Sequence, residues 1–145
     1  YAGSEMHTTT LPALWSKLQS VLGSHLLKHR VLLSNSVNTS AASMAGAGWT
    51  GASNNWAWYD SYGELMSEVE IYGCTVFSSS FYDVGEACEK LAYYNFVNHC
   101  YDGRVARWLR AVASGTAFAG AGNYGDANDW GASDVLGVCP LILIG

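Results

Sequence analysis

The residues with the most usable chemistry run from Ala119 to Asp134, as Ala119-Gly120-Ala121-Gly122-Asn123-Tyr124-Gly125-Asp126-Ala127-Asn128-Asp129-Trp130-Gly131-Ala132-Ser133-Asp134. Small residues alternate with polar and aromatic ones at nearly every second place. Small side chains let the backbone turn tightly, while the interleaved Asn, Asp, Tyr and Trp are expected to project outward. Adaptable binding loops use the same vocabulary, because rings supply contact area at low entropic cost and short polar groups supply hydrogen bonds. The chemistry on offer is recognition, with Tyr124 and Trp130 as aromatic anchors. Asp126, Asn128, Asp129 and Asp134 also offer hard oxygen ligands of the kind that hold calcium. An EF-hand spacing is excluded by Trp130 at its fifth place and Gly137 at its twelfth. Exposed loop residues held by Asx turns are the preferred account, so neither metal nor cofactor is expected.

Catalysis has no comparable foothold. His7, His25, His29 and His99 lie far from this segment, and the His25/His29 pair lacks the H-E-x-x-H pattern of a zinc hydrolase. Cys74, Cys88, Cys100 and Cys139 show no C-x-x-C pairing, and they read as free thiols that behave as small hydrophobes. No positioned nucleophile or acid/base pair stands out, and the chain is not expected to be an enzyme.

The elements that must position the segment fit into one domain spanning 1–145. Half of the residues are apolar, enough for one core at this length. Charged residues make up 13 %, about half of the roughly 25 % usual in soluble domains, while six Trp and nine Tyr are present. Sixteen Gly against two Pro favour tight turns and irregular loops over a helical bundle. A net charge of −5 with no basic run argues against a phosphate-tracking surface, so nucleic acid is not an expected partner. No apolar run approaches the length needed to cross a bilayer. The first residues carry neither an initiator Met nor a leader pattern, and the chain reads as the C-terminal part of a longer one.

Leu11, Leu14, Trp15, Leu18 and Leu22 share one helical face, with Thr10 as cap, Pro12 in the first turn and Gly23 as the stop. Val31-Leu32-Leu33 reads as a buried strand and 34–51 as loop. Trp49, Trp56, Trp58, Tyr59 and Tyr62 are expected to fill the core beneath the loops rather than to form a sugar-stacking platform. A short helix should stop at Gly73, and Cys74-Thr75-Val76-Phe77 has the content of a strand. Residues 83–94 carry a helical pattern, with Glu86 and Lys90 paired at i,i+4. From Arg107 onward the pattern is extended over 108–112 and 116–119, then a Gly/Asn stretch leads into the apolar run 138–144.

Trp108-Leu109-Arg110-Ala111-Val112-Ala113-Ser114, Phe118-Ala119, Gly125, Ala127, Ala132-Ser133 and Gly137-Val138-Cys139-Pro140 stand in an order and spacing that resembles a known family. The family is the variable proteins of diversity-generating retroelements, found in phage tails and virions and in bacterial surface lipoproteins. Ser67-Glu68-Val69-Glu70-Ile71-Tyr72-Gly73 and Leu11-Pro12 are similar to phage-associated members. The resemblance implies an α+β, C-type-lectin-like fold with short helices, a small antiparallel sheet and long loops. It also implies a variable region over about 104–139, in which side chains between fixed scaffold residues differ from copy to copy.

The varied positions implied in this chain are Arg107, Gly120, Gly122, Asn123, Tyr124, Asp126, Asn128, Asp129, Gly131 and Asp134, all but Gly131 implied to face the ligand. Trp130 joins them as a ligand-facing residue that is fixed or inherited, since its codon does not arise from an Asn-type codon. Cys139 departs from the family, where Arg commonly precedes the Pro. The implied task is attachment of a phage, or of a cell surface, to a host protein or glycan. The implied place is a virion or bacterial surface, among other virion or tail subunits and in an assembly that is often a homotrimer. Two other functions are kept beside it: a structural virion or tail protein, and a calcium-dependent lectin.

Overall fold

The computed structural model describes residues 1–34, 56–77, 89–95, 105–113 and 116–145. Helices and small antiparallel sheets mix in it, giving an α+β chain. A wide π-type turn over Met6–Thr10 runs straight into helix α1 (Leu11–Leu22), whose Leu11, Leu14, Trp15, Leu18 and Leu22 are all at least half-buried. That is the apolar face anticipated above. Thr10 differs from the expectation, because its backbone is already helical and its side chain makes no cap bond. Gly23 does end α1 at positive φ (56°).

Strand β1 (Leu26–Leu27) pairs antiparallel with a strand at the far end of the chain, and β2 (His29–Ser34) pairs with β3 (Trp56–Ser61). Alternation sorts most of the β2–β3 ribbon, although Leu32 on the outward side is partly buried. Leu33, Ser61 and, in part, Val31 and Tyr59 turn inward, while Arg30, Trp58 and Asp60 turn outward. Trp58 is 58 % exposed, so the aromatic cluster is not all core. Arg30, diagonal to it across the ribbon, lies over the ring at 5.4 Å, which covers part of the surface that burial would have covered. Trp49 and all of the loop expected over 34–51 except Ser34, the last residue of β2, lie outside the described residues, as does half of the helix expected over 83–94; its described half is not α-helical, and Ala92–Asn95 form a single 3-10 turn.

Strand β4 (Glu64–Leu65) leads into helix α2 (Glu68–Tyr72), which stops at Gly73 in the left-handed region (φ 82°), as the sequence indicates. The start of α2 is a reciprocal cap: Ser67 Oγ accepts from Glu70 N, and Glu70 Oε2 accepts from Ser67 N at 2.6 Å. The strand expected over 74–77 is not formed. The backbone N–H groups of Val76 and Phe77 donate instead to the buried Glu68 carboxylate at 3.0 and 3.1 Å, which removes them from any ladder.

Strands β5 (Arg107–Val112), β6 (Ala117–Ala121) and β7 (Ala127–Gly131) form the three-stranded antiparallel sheet that carries the candidate site. Two apolar clusters cover this sheet. On one face Leu109, Ala111, Ala119 and Ala121 pack with Met66, Ile71 and Tyr94. On the other Trp108 and Val112, with Phe118 and Trp130 against them, pack with Leu11, Leu33 and Leu65. The free edge of β5 is bonded too, to Met66 O through Arg110 N and to Gly137 O through Trp108 N, both at 3.0 Å.

After the sheet, β8 (Pro140–Leu141) pairs with β4, and β9 (Leu143–Ile144) pairs with β1. The final apolar run is therefore two short strands, with Leu141, Leu143 and Ile144 exposed. No helix among the described residues is long and apolar enough to cross a membrane.

Candidate recognition hairpin

Strands β6 and β7 pair from Ala117↔Gly131 to Ala121↔Ala127, so the Gly- and Asn-rich stretch expected to be loop is the return strand of a hairpin. Two backbone bonds close its tip. Gly122 N donates to Asp126 O at 2.7 Å and Gly125 N donates to Gly122 O at 3.0 Å, with Gly125 at φ 87°, where only glycine sits without strain. From outside, Tyr72 Oη donates to Asp126 O at 3.0 Å and ties the tip to α2. Burial pushes the Tyr72 and Tyr1 phenols well above their usual range and raises that of Tyr94. These groups stay protonated in the folded chain while unfolded tyrosines ionise. Their contribution is therefore whole below about pH 10 and lost as pH rises beyond it.

On this frame Asn123, Tyr124, Asp126, Asn128 and Asp129 are exposed, and Tyr124 is 76 % accessible. Asp134 is exposed as well, but at the opposite end of β7. A five-residue strand of roughly 17 Å separates it from the tip. Backbone bonds also hold that end: Ala132 N to Thr116 O at 2.8 Å and Asp134 N to Gly131 O at 2.9 Å. The oxygen-bearing residues are thus split between two ends, and no three His, Cys, Asp or Glu side chains converge as a metal cage among the described residues.

Four of the ten candidate residues are not free to meet a ligand as expected. Arg107 is 2 % exposed; its guanidinium donates to Tyr94 Oη at 3.2 Å and lies 5.8 Å from that ring's centre. Register explains this, because Arg107 opposes Ala121 and so shares the inward face with Leu109 and Ala111. Gly120 and Gly122 are buried, and the room a side chain would need is taken. A Cβ at Gly120 would stand 2.6 Å from the Trp130 ring and 2.7 Å from Arg107 O; at Gly122 it would run into the Asp126 carboxylate. Trp130 is half-buried, edge-on to Trp108 at 6.5 Å between ring centres. It is a packing residue with one face left over rather than an outward anchor.

A group that sequence reasoning missed is the polar knot beneath the sheet. Arg110 Nη1 donates to Glu70 Oε2 and to Leu65 O, both at 3.2 Å, and Tyr1 Oη donates to Glu64 Oε2 at 2.9 Å beside His7 Nδ1 at 3.3 Å. Only the S-x-x-E spacing at 67–70 signals any of it. No family model, curated protein or solved structure matches the chain.

Proposed function

We propose that the chain is a ligand-display domain of C-type-lectin-like type, in which the β6–β7 hairpin presents Asn123, Tyr124, Asp126, Asn128 and Asp129 to a host surface protein or glycan. The carrying observation is that the bonds closing the tip are backbone to backbone, while the side chains around it stand in solvent. A recognition surface built this way changes its side chains without changing its frame, since substitution of exposed residues usually costs about 0.5 kcal/mol or less. That division of labour, with the motif over 108–140, supports membership among the retroelement-diversified variable proteins and a place on a phage virion or a bacterial surface. The reading is one of binding and not of catalysis, and it calls for no metal.

The test is binding of the purified domain to host-type cells and to protein and glycan arrays, with and without chelator, beside a Tyr124→Ala/Asp126→Ala variant of unchanged melting temperature. Loss of binding in the variant, indifferent to chelator, supports display by the tip. Unchanged binding by the variant refutes it, and loss on chelation alone transfers the role to a calcium-dependent lectin. A structural role in a virion or tail is favoured by one separate observation: Leu27, Leu143 and Ile144 of the β1–β9 pair, with Leu141 of β8 just before it, carry exposed apolar side chains.

A further inference from the structure

We propose that a cleft of about 400 Å³ between the N-terminal turn and the base of the β5–β6–β7 sheet binds a lysine or arginine side chain of a protein partner. Met6, Leu65, Trp108 and Phe118 supply apolar and aromatic wall, and Glu5 and Asp134 stand with it as carboxylates from segments far apart in the chain. Among the described residues the three ion pairs use neither of these carboxylates. The combination selects its occupant. Among the described residues no third His, Cys, Asp or Glu joins the two carboxylates as a metal cage, and the Met6, Leu65, Trp108 and Phe118 walls cannot replace a small ion's hydration. An anion meets the wrong charge, in a chain of net charge −5. A neutral apolar group would fill the wall and leave the carboxylates idle. A long side chain with a cationic head uses both parts, laying its methylene stem along Met6 and Phe118 and its head between ring faces and carboxylates.

The cleft's volume lies at the small end of the range for organic ligands, which suits one such side chain better than a whole saccharide. Asp134 belongs to this cleft rather than to the hairpin tip, so the exposed residues of the candidate site serve two places. The proposal rests on the display reading only for the kind of molecule that carries the cation; the cleft's selectivity stands or falls by itself.

The experiment is an NMR titration of the whole chain with Nα-acetyl-lysine methylamide, its arginine counterpart and Nα-acetyl-norleucine methylamide, the uncharged isostere of the lysine probe. The cationic probes are expected to bind in the millimolar range, about fivefold or more tighter than norleucine, weakening as salt rises, with shifts at Trp108, Phe118 and Ala132. Glu5→Gln and Asp134→Asn, both exposed and therefore expected to fold, should each weaken the cationic probes severalfold and leave norleucine unchanged. Equal binding of all three probes, or shifts that lie elsewhere, overturns the proposal. Tyr124→Ala separates the two readings. Loss of binding to cells and arrays with lysine-probe binding intact leaves both standing. Unchanged binding to cells and arrays removes the display reading and leaves the cleft.

Discussion

The hairpin tip at residues 122–126 and the polar knot around α2 contain similar residue types, and they use them in opposite ways. In the knot, side chains hold the backbone: Ser67 and Glu70 cap α2, Glu68 takes the amides of Val76 and Phe77, and Arg110 reaches both Glu70 and Leu65 O. At the tip, backbone bonds to backbone close the turn, and the side chains of Asn123, Tyr124 and Asp126 are exposed. Where side chains are spent on structure, identity is constrained by buried polar groups that must keep their partners. Where they are not, identity is free to follow a ligand.

The contrast is broken most sharply in the knot. Glu68→Ala leaves two amide donors without their carboxylate at a fully buried position, and a loss of about 3 kcal/mol or more is expected in urea unfolding. A cost below about 1 kcal/mol would mean that the amides find other acceptors. Gly120→Ala probes the frame beneath the hairpin. Its Cβ collides with the Trp130 ring and Arg107 O, and the expected cost of about 2 kcal/mol should shrink in a Gly120→Ala/Trp130→Leu double variant. Additive costs would show that the ring is not what limits the site. Ser67→Ala removes one half of the reciprocal cap, at about 1 kcal/mol by thermal or urea melts. Tyr124→Ala sits at the other extreme, where a change within about 0.5 kcal/mol is expected although the largest exposed ring of the hairpin is gone.

What was legible in the sequence follows the same line. Local signals suffice for the apolar face of α1, the stop at Gly73 and the core strand β5, all of which follow from periodicity and turn chemistry. Features set by distant partners were not. Cys74-Thr75-Val76-Phe77 has strand composition, yet Glu68 claims its amides. Residues 127–131 look like loop because Gly, Ala, Asn and Asp carry little strand propensity, but pairing with β6 and the stacking of Trp130 over Gly120 make them strand. Arg107 was read as displayed because it opens the variable stretch; the register of β5 against β6 turns it inward to Tyr94, and nothing near it in sequence announces that. Residue type points to the six candidates with exposed side chains but points equally to the half-buried Trp130, and it does not divide the six between the tip and the Asp134 end.

The most direct test is a library that randomises Asn123, Tyr124 and Asp126 together, displayed on yeast and sorted twice, once for protease resistance as a measure of folding and once for binding to different protein targets. Most members should fold as well as the parent, and different targets should enrich different residues at the three positions while Gly125, held at positive φ, returns as glycine if added to the library. If folding instead selects Asn123, Tyr124 and Asp126 back to their present identities, the tip is structural and the display account is contradicted.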